Sequence, residues 1–305
     1  MKILLTGGLG AVGSWLVREL RGRGHEVWVM DRPHHHDLQY VRGDVGEFRQ
    51  YERVVEGRDF DYVYHLAAEF GRWNGEDFYE TLWRTNAVGT KNLLRLQERL
   101  GFRSIFFSSS EVYGDYEGVM VEDVMDRIEI RQMNDYAMTK WVGEQQVLNS
   151  AAMFGTETVR VRLFNTYGPG EPYSRYRSAI CIFAYHALHD MPFTVYTGHL
   201  RTSTFVSDTT RTLANIVDRF RPGEVYNIGG LDLHDMETPA RMILEHLGKP
   251  ASLATYKEGE PFTTKEKRVD CSKAIRDLGH DPKVLLAEGI PRTLEWMKAY
   301  YKVMG

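Results

Sequence analysis

Thr6-Gly7-Gly8-Leu9-Gly10-Ala11-Val12-Gly13 follows a short apolar run, Lys2–Thr6, and leads into Val12, Leu16, Val17 and Leu20 at helical spacing. Glycines spaced G-x-x-G-x-x-G are a weak signal alone. Between a strand and an amphipathic helix they acquire a meaning. They permit a tight turn, let backbone approach a pyrophosphate closely, and leave that anion at a helix N-terminus. Gly7, Gly10, Ala11, Val12 and Gly13 are therefore expected to cradle a dinucleotide.

Outward from this turn, apolar runs alternate with helical segments. Glu26–Met30, Leu38–Val41, Asp61–Leu66, Arg103–Ser108 and Thr158–Phe164 read as strands. Phe48, Tyr51, Val54 and Val55 recur at helical spacing, and longer helices are expected from about Leu82 to Leu100 and from Tyr136 to Phe154. Such alternation predicts an α/β fold with a doubly wound parallel sheet covered on both faces. After Asn165 the breaker Tyr167-Gly168-Pro169-Gly170 intervenes. Residues 1–165 are expected to form the first domain, with a return excursion near 202–220. Residues 166–305 are expected to form mainly a smaller, interleaved α/β substrate lobe.

Of 305 residues, 43% are hydrophobic, enough for one large core and a second smaller one. A formal net charge of −4 offers no basic excess for nucleic acid. The first apolar run is too short for a signal peptide and none is long enough for a membrane span. Cys181 and Cys271 imply neither a disulfide framework nor a metal cluster. A cytoplasmic protein without metal, nucleic-acid or membrane partners is expected. His34-His35-His36 reads as a solvated loop, because adjacent histidines point in different directions.

Asp31 ends the second strand, where a carboxylate accepts both adenosine ribose hydroxyls and repels a 2′-phosphate. That favours NAD over NADP, although Arg32 follows immediately. Asp44 and Val45, after the third strand, are placed against the adenine. His65-Leu66-Ala67-Ala68 closes the fourth strand with small residues that let the cofactor lie against backbone. His65 itself is expected to be structural.

Tyr136 and Lys140 stand i, i+4 on one helix face. A phenol titrating near 10 is a poor base at neutral pH. A neighbouring ammonium and a positive nicotinamide ring both favour the phenolate, so proton abstraction from a hydroxyl becomes feasible. Ser109, Ser110 and Glu111 end the fifth strand at the sheet edge that faces the ligand crevice. Ser109 can hold the hydroxyl being oxidised, and Glu111 can remove a proton next to the new carbonyl.

These motifs together resemble the extended short-chain dehydrogenases/reductases, the Rossmann-fold group of NAD-dependent nucleotide-sugar epimerases, dehydratases and decarboxylases. The resemblance also rests on Asn86 in Asn-Ala-Val-Gly-Thr, Asn165 in Asn-Thr-Tyr-Gly-Pro-Gly, Arg201 ahead of Thr204-Phe205-Val206-Ser207-Asp208, and Asn227-Ile228-Gly229-Gly230. It implies NAD as cofactor, Asn86 among its contacts and Lys140 on the nicotinamide ribose. Asn165, Arg201 and Arg268 would contact a nucleotide sugar's phosphates. Glu171–Arg177 and Thr194–Tyr196, Tyr196 included, would line the nucleotide pocket, with Glu69–Asp77 over the sugar. Ser109-Ser110-Glu111-Val112-Tyr113-Gly114 is most similar to the motif of 4,6-dehydratases and UDP-glucuronate decarboxylases. A 4,6-dehydratase acting through a transient 4-keto sugar is the first expectation, ahead of a C4 epimerase and a decarboxylase. Ser110 stands where glucose-type dehydratases carry an acid, so Glu111 or water would have to donate that proton. An NAD-sensing or scaffold protein is the non-enzyme alternative, disfavoured because Tyr136 and Lys140 are both present. The resemblance further implies a homodimer through a four-helix bundle of about Thr85–Leu100 and Asp135–Phe154.

Overall fold

The computed structural model describes residues 1–303; positions 304 and 305 of the expected second lobe lie outside them. Its centre is a seven-stranded parallel sheet of β1 (Lys2–Thr6), β2 (Glu26–Asp31), β3 (Tyr40–Arg42), β4 (Tyr62–His65), β5 (Arg103–Ser109), β6 (Thr158–Leu163) and β7 (Val225–Ile228). The spatial order is β7-β6-β5-β4-β1-β2-β3. From the central β1 the chain winds outward to β3, then returns to β4 on the other side of β1. The crevice at this reversal, beyond the strands' carboxyl ends, is where such sheets bind ligands.

Helix α1 (Ala11–Gly22) buries Leu16, Val17 and Leu20 on one face, as its spacing predicts. They share a core with Ile3, Leu5, Val27, Tyr64 and Val161. The opposite face is covered by α2 (Phe48–Val55) and α3 (Gly89–Leu100), whose Tyr51, Val54, Leu93 and Leu96 pack with Leu4 and Val63. Leu38 is 96% exposed, so the third strand starts two residues later than expected. The expected helix from Leu82 begins at Tyr79 and passes through one π turn, Arg84–Val88, before α3. The long α4 (Asp135–Phe154) is capped by Asn134, whose side chain accepts from the Ala137 N–H at 2.8 Å.

Residues beyond 165 serve both layers. Helix Val206–Asn215 brings Leu213 and Ala214 into the first core, and β7 and helix Ser272–Leu278 return there too. The remainder builds a second core from helices Ala179–Leu188, Glu237–Leu247 and Leu286–Tyr301 around Phe193, Val195 and Phe205. This lobe overhangs the crevice. No helix of the described residues is long and apolar enough to cross a membrane.

Candidate active site

Two adjoining cavities, of about 350 and 290 Å³, open at the crevice. The first is lined by Gly7, Gly10, Ala11, Val12, Gly13, Asp31, Asp44, Val45, Leu66, Ala67, Ala68, Tyr136 and Lys140, all expected there from sequence. Its floor is bare backbone for a steric reason. A Cβ on Gly7 would lie 2.7 Å from the Ala67 nitrogen, and one on Gly13 would strike the Gly7 carbonyl oxygen. Gly7 also has φ +73°, open to glycine at little cost. Asp31 accepts from the Leu9 N–H at 3.0 Å and the Arg32 N–H at 2.8 Å, which fixes its carboxylate at the end of β2. A side-chain-free cradle at a helix start, with a fixed carboxylate at its far end, fits an adenine dinucleotide.

Asn86 does not line this cavity. The π turn aims its amide inward, where it accepts from the Glu69 N–H at 2.9 Å and donates to the Glu69 carbonyl at 2.9 Å and Thr139 Oγ1 at 3.0 Å. Its work is to hold the loop after β4 against α4. His65 is 2% exposed, lies 3.0 Å from Thr6 Oγ1, and is driven down to about 3 by burial and the nearby Lys140. It is a neutral structural histidine. The three adjacent histidines are exposed, and no metal-holding group occurs among the described residues.

Tyr136 lines the first cavity beside Ser109. Burial pushes its phenol up to about 12, against a hydrogen bond with Ser109 that pulls the other way. Lys140 Nζ donates to the Phe107 carbonyl at 2.9 Å and lies 5.9 Å from the Tyr136 ring centroid. Burial lowers it to about 8. In the protein alone desolvation governs both groups, raising Tyr136 and lowering Lys140, so the phenolate expected from the sequence depends on the nicotinamide charge as well. Ser109 lines the first cavity, whereas Glu111 lines the second. Ser110 lines neither; its Oγ lies 3.5 Å from Lys267 Nζ.

Glu111 is not a solitary carboxylate. It forms an ion pair with Lys267, which is 2% exposed and belongs to the same cavity wall. Burial alone would raise the Glu111 pKa, but Lys267, Arg201 and Arg72 together hold it below its ordinary value. Burial and the two arginines lower Lys267. The pocket thus holds an ionised carboxylate beside a cation that gives up its proton more readily than a free lysine.

Arg201 and Tyr196 line the second cavity, and Asn165 borders both. Arg201 donates to the Leu200 and Lys265 carbonyls at 2.8 and 3.0 Å, so its guanidinium is fixed. Arg268, expected on the substrate, lines neither cavity; it is half exposed and pairs with Glu266. Its segment is extended, bridging Leu200 at Glu266 and Met120 at Val269. Alternate side chains in such a segment face opposite ways, so Lys267 turns inward and Arg268 outward. Arg177 borders both cavities, and Arg72 and Trp73 line the second. Within Glu171–Arg177, Glu171 is buried and accepts from the Ser178 hydroxyl at 2.8 Å instead of lining the pocket.

Behind the site, Glu144 of α4 is fully buried and receives Arg162 at 2.9 and 2.8 Å, Arg160 at 3.2 Å and the Ser108 hydroxyl at 2.5 Å. Arg162 also donates to the Tyr113 hydroxyl at 3.0 Å. This network ties the helix bearing Tyr136 and Lys140 to the strand bearing Ser109 and to β6, which leads into Asn165.

Residues 3–229 match the family described as NAD dependent epimerase/dehydratase. The chain is 31% identical to a dTDP-glucose 4,6-dehydratase of Streptomyces niveus, over 98% of this chain and 93% of that one. It is 30% identical to UDP-glucuronic acid decarboxylase 1 of Arabidopsis thaliana, over 96% of this chain and 68% of the relative. Among solved structures, a UDP-glucuronic acid 4-epimerase from Bacillus cereus in complex with UDP-glucuronic acid and NAD superposes with a TM-score of 0.87, at 25% identity over 99% of this chain and 100% of that chain.

Proposed function

The chain belongs to the NAD dependent epimerase/dehydratase family, and from that premise we propose that it is a nucleotide-hexose 4,6-dehydratase working through a transient 4-keto sugar. The observation that carries this reading is the Glu111–Lys267 pair beside Ser110, on the substrate side of Tyr136. Elimination needs a base for the proton next to the carbonyl and an acid for the departing hydroxyl. Glu111, held ionised, is suited to the first role, and Lys267, with Ser110 alongside, to the second. Ser110 thus need not replace the missing acid by itself.

NAD would be held by the glycine turn, Asp31 and Leu66-Ala67-Ala68, with Asp44 and Val45 toward the adenine and Lys140 on the ribose. When bound it supplies the hydride acceptor and a positively charged ring. Burial keeps the Tyr136 phenol protonated in the protein alone. Beside a positive nicotinamide ring and the Lys140 ammonium it would ionise, and the phenolate would take the hydroxyl proton of the sugar, with Ser109 orienting that hydroxyl. Glu111 would then remove the adjacent proton and Lys267 would protonate the leaving hydroxyl as water. With the hydride restored to the carbon that lost the hydroxyl, Glu111 would hand its proton back to the neighbouring carbon, and Lys267 would regain through solvent the proton left on Tyr136. The cofactor ends each turnover as it began. Asn165, Arg177, Arg201 and Tyr196 would hold the nucleotide diphosphate.

A second reading is supported by charge. Arg72, Arg201 and Lys267 share the cavity with two carboxylates, Glu111 and Glu260, the latter paired to Arg72, which leaves one cation in excess among these groups. That surplus suits a sugar bearing its own carboxylate, as a uronate decarboxylase requires. A C4 epimerase would leave Glu111 without a chemical task. Mass spectrometry of the enzyme with NAD and TDP-, UDP-, GDP- and CDP-hexoses or UDP-glucuronate separates the three. Loss of water supports the dehydratase; loss of carbon dioxide or an isomer of unchanged mass overturns it. A sensor or scaffold would keep its function in Tyr136→Phe, whereas an enzyme loses turnover and still binds NAD.

We also propose a homodimer through α3 and α4. Leu148, Met153 and Phe154 stay exposed on α4, Met153 by 73%. Val147 and Trp141 of the same helix are taken up by the chain's own packing.

A further inference from the structure

Arg32 presents a problem that the sequence raised and the fold answers. A guanidinium directly after Asp31, lining the cofactor cavity, is chemically suited to a 2′-phosphate. A second one stands near: Arg42 donates through Nε to the Arg32 carbonyl at 2.9 Å and lies 3.0 Å from His34 Nε2. By charge alone this end of the cavity would accept NADP.

Glu69 changes the balance. Its Oε1 accepts from Arg32 Nη2 at 2.9 Å, drawing the guanidinium from the end of β2 to the loop after β4. The carboxylate cannot swing freely, because Oε2 accepts from Asn74 Nδ2 at 3.2 Å. Its backbone is clamped on both sides by Asn86. The carboxylate side chain is 16% exposed, against 58% for Arg32, so Glu69 is the fixed partner and Arg32 the captured one. With Arg32 and Glu69 paired to each other, the Asp31 carboxylate is the charge left facing the ribose end, all three lining the cavity. Like charge there repels a phosphate dianion.

We propose that Glu69 sets the choice of NAD over NADP by holding Arg32 away from the position of a 2′-phosphate. This rests on the first cavity holding the cofactor and is independent of which sugar reaction follows. It also explains why Asn86, missing from the cavity wall, is spent on the Glu69 backbone.

The test is calorimetric titration of cofactor-stripped Glu69→Gln with NAD and with NADP. Glutamine keeps the shape but releases Arg32. NADP affinity is expected to rise roughly fivefold, the upper end for one partly exposed ion pair, while NAD affinity changes less than about twofold. Adding Arg32→Ala should abolish the gain. Equal changes for both cofactors, no change for NADP, or a gain that survives Arg32→Ala would each overturn the proposal. Should Glu69→Gln not fold, Arg32→Gln in the otherwise intact chain decides. An arginine already captured leaves NADP affinity within about threefold; a loss of about tenfold would show that Arg32 already reaches the phosphate.

Discussion

Glu111 and Lys267 meet in the wall of the substrate cavity although 156 positions separate them in the chain. The carboxylate comes from the turn after β5 and the ammonium from an extended segment of the second lobe, the lysine side chain 2% exposed and the glutamate 20%, so water screens the pair only from one side. One lobe therefore sets the ionisation of a group held by the other.

Removing the cation should silence the base. In Lys267→Met the burial of Glu111 is opposed only by Arg201 and Arg72, so its pKa rises and the carboxyl is protonated over more of the neutral range. Turnover is expected to fall on the order of a hundredfold or more near neutrality, with partial recovery toward alkaline pH, and Lys267→Arg should retain more of it. A pH–rate profile identical in shape to that of the parent would count against this.

Lys140 is a functional cation held at a cost to stability. A lysine lowered from 10.5 to about 8 binds fewer protons folded than unfolded between those values. Stability therefore rises with pH across that window, and below it the full burial penalty applies. Lys140→Met should stabilise the cofactor-free protein at neutral pH by roughly 1–3 kcal/mol while abolishing turnover. Thermal melts of both proteins at neutral pH and near pH 10 check this; the gap should narrow at the higher pH.

Glu144 acts in the opposite sense. Burial would raise its pKa, but Arg162 and Arg160 hold it below the ordinary value, so its stabilisation is present above about 4.3 and lost as pH falls through the folded value. Glu144→Gln should lose roughly 3–5 kcal/mol at neutral pH, because Arg162 is left buried and unpaired. Its melting temperature should then vary less than the parent's between about pH 5 and pH 3. Equal slopes in that range would remove Glu144 from the acid response.

For the proposed dimer, Leu148→Glu with Met153→Glu on α4 should yield monomer in sedimentation at micromolar concentration with the fold intact, since both side chains are exposed within one chain. A parent chain that sediments only as monomer would rule the dimer out.

Much of the cofactor end was legible in the chain itself. The glycine turn, Asp31 and Ala67-Ala68 act through local backbone geometry: each lies at the end of a strand whose apolar run predicts it, and neighbouring parallel strands bring those ends together. Tyr136 and Lys140 were legible for the same reason, because helical spacing alone puts them on one face. Asn86 was expected at the cofactor, but a single π turn redirected it to Glu69. Arg268 was expected at the substrate, but alternation in an extended segment favoured its neighbour Lys267.

Sequence alone therefore determined the doubly wound sheet, the dinucleotide cradle and the tyrosine–lysine pair, all products of short-range periodicity and backbone conformation. Tertiary structure decided the electrostatics: Glu111 held ionised by Lys267, Arg32 captured by Glu69, and Tyr136 made harder to ionise by burial. Ionisation depends on desolvation and on charges a few ångströms away, and those neighbours come from parts of the chain whose spacing along the sequence carries no trace of their meeting.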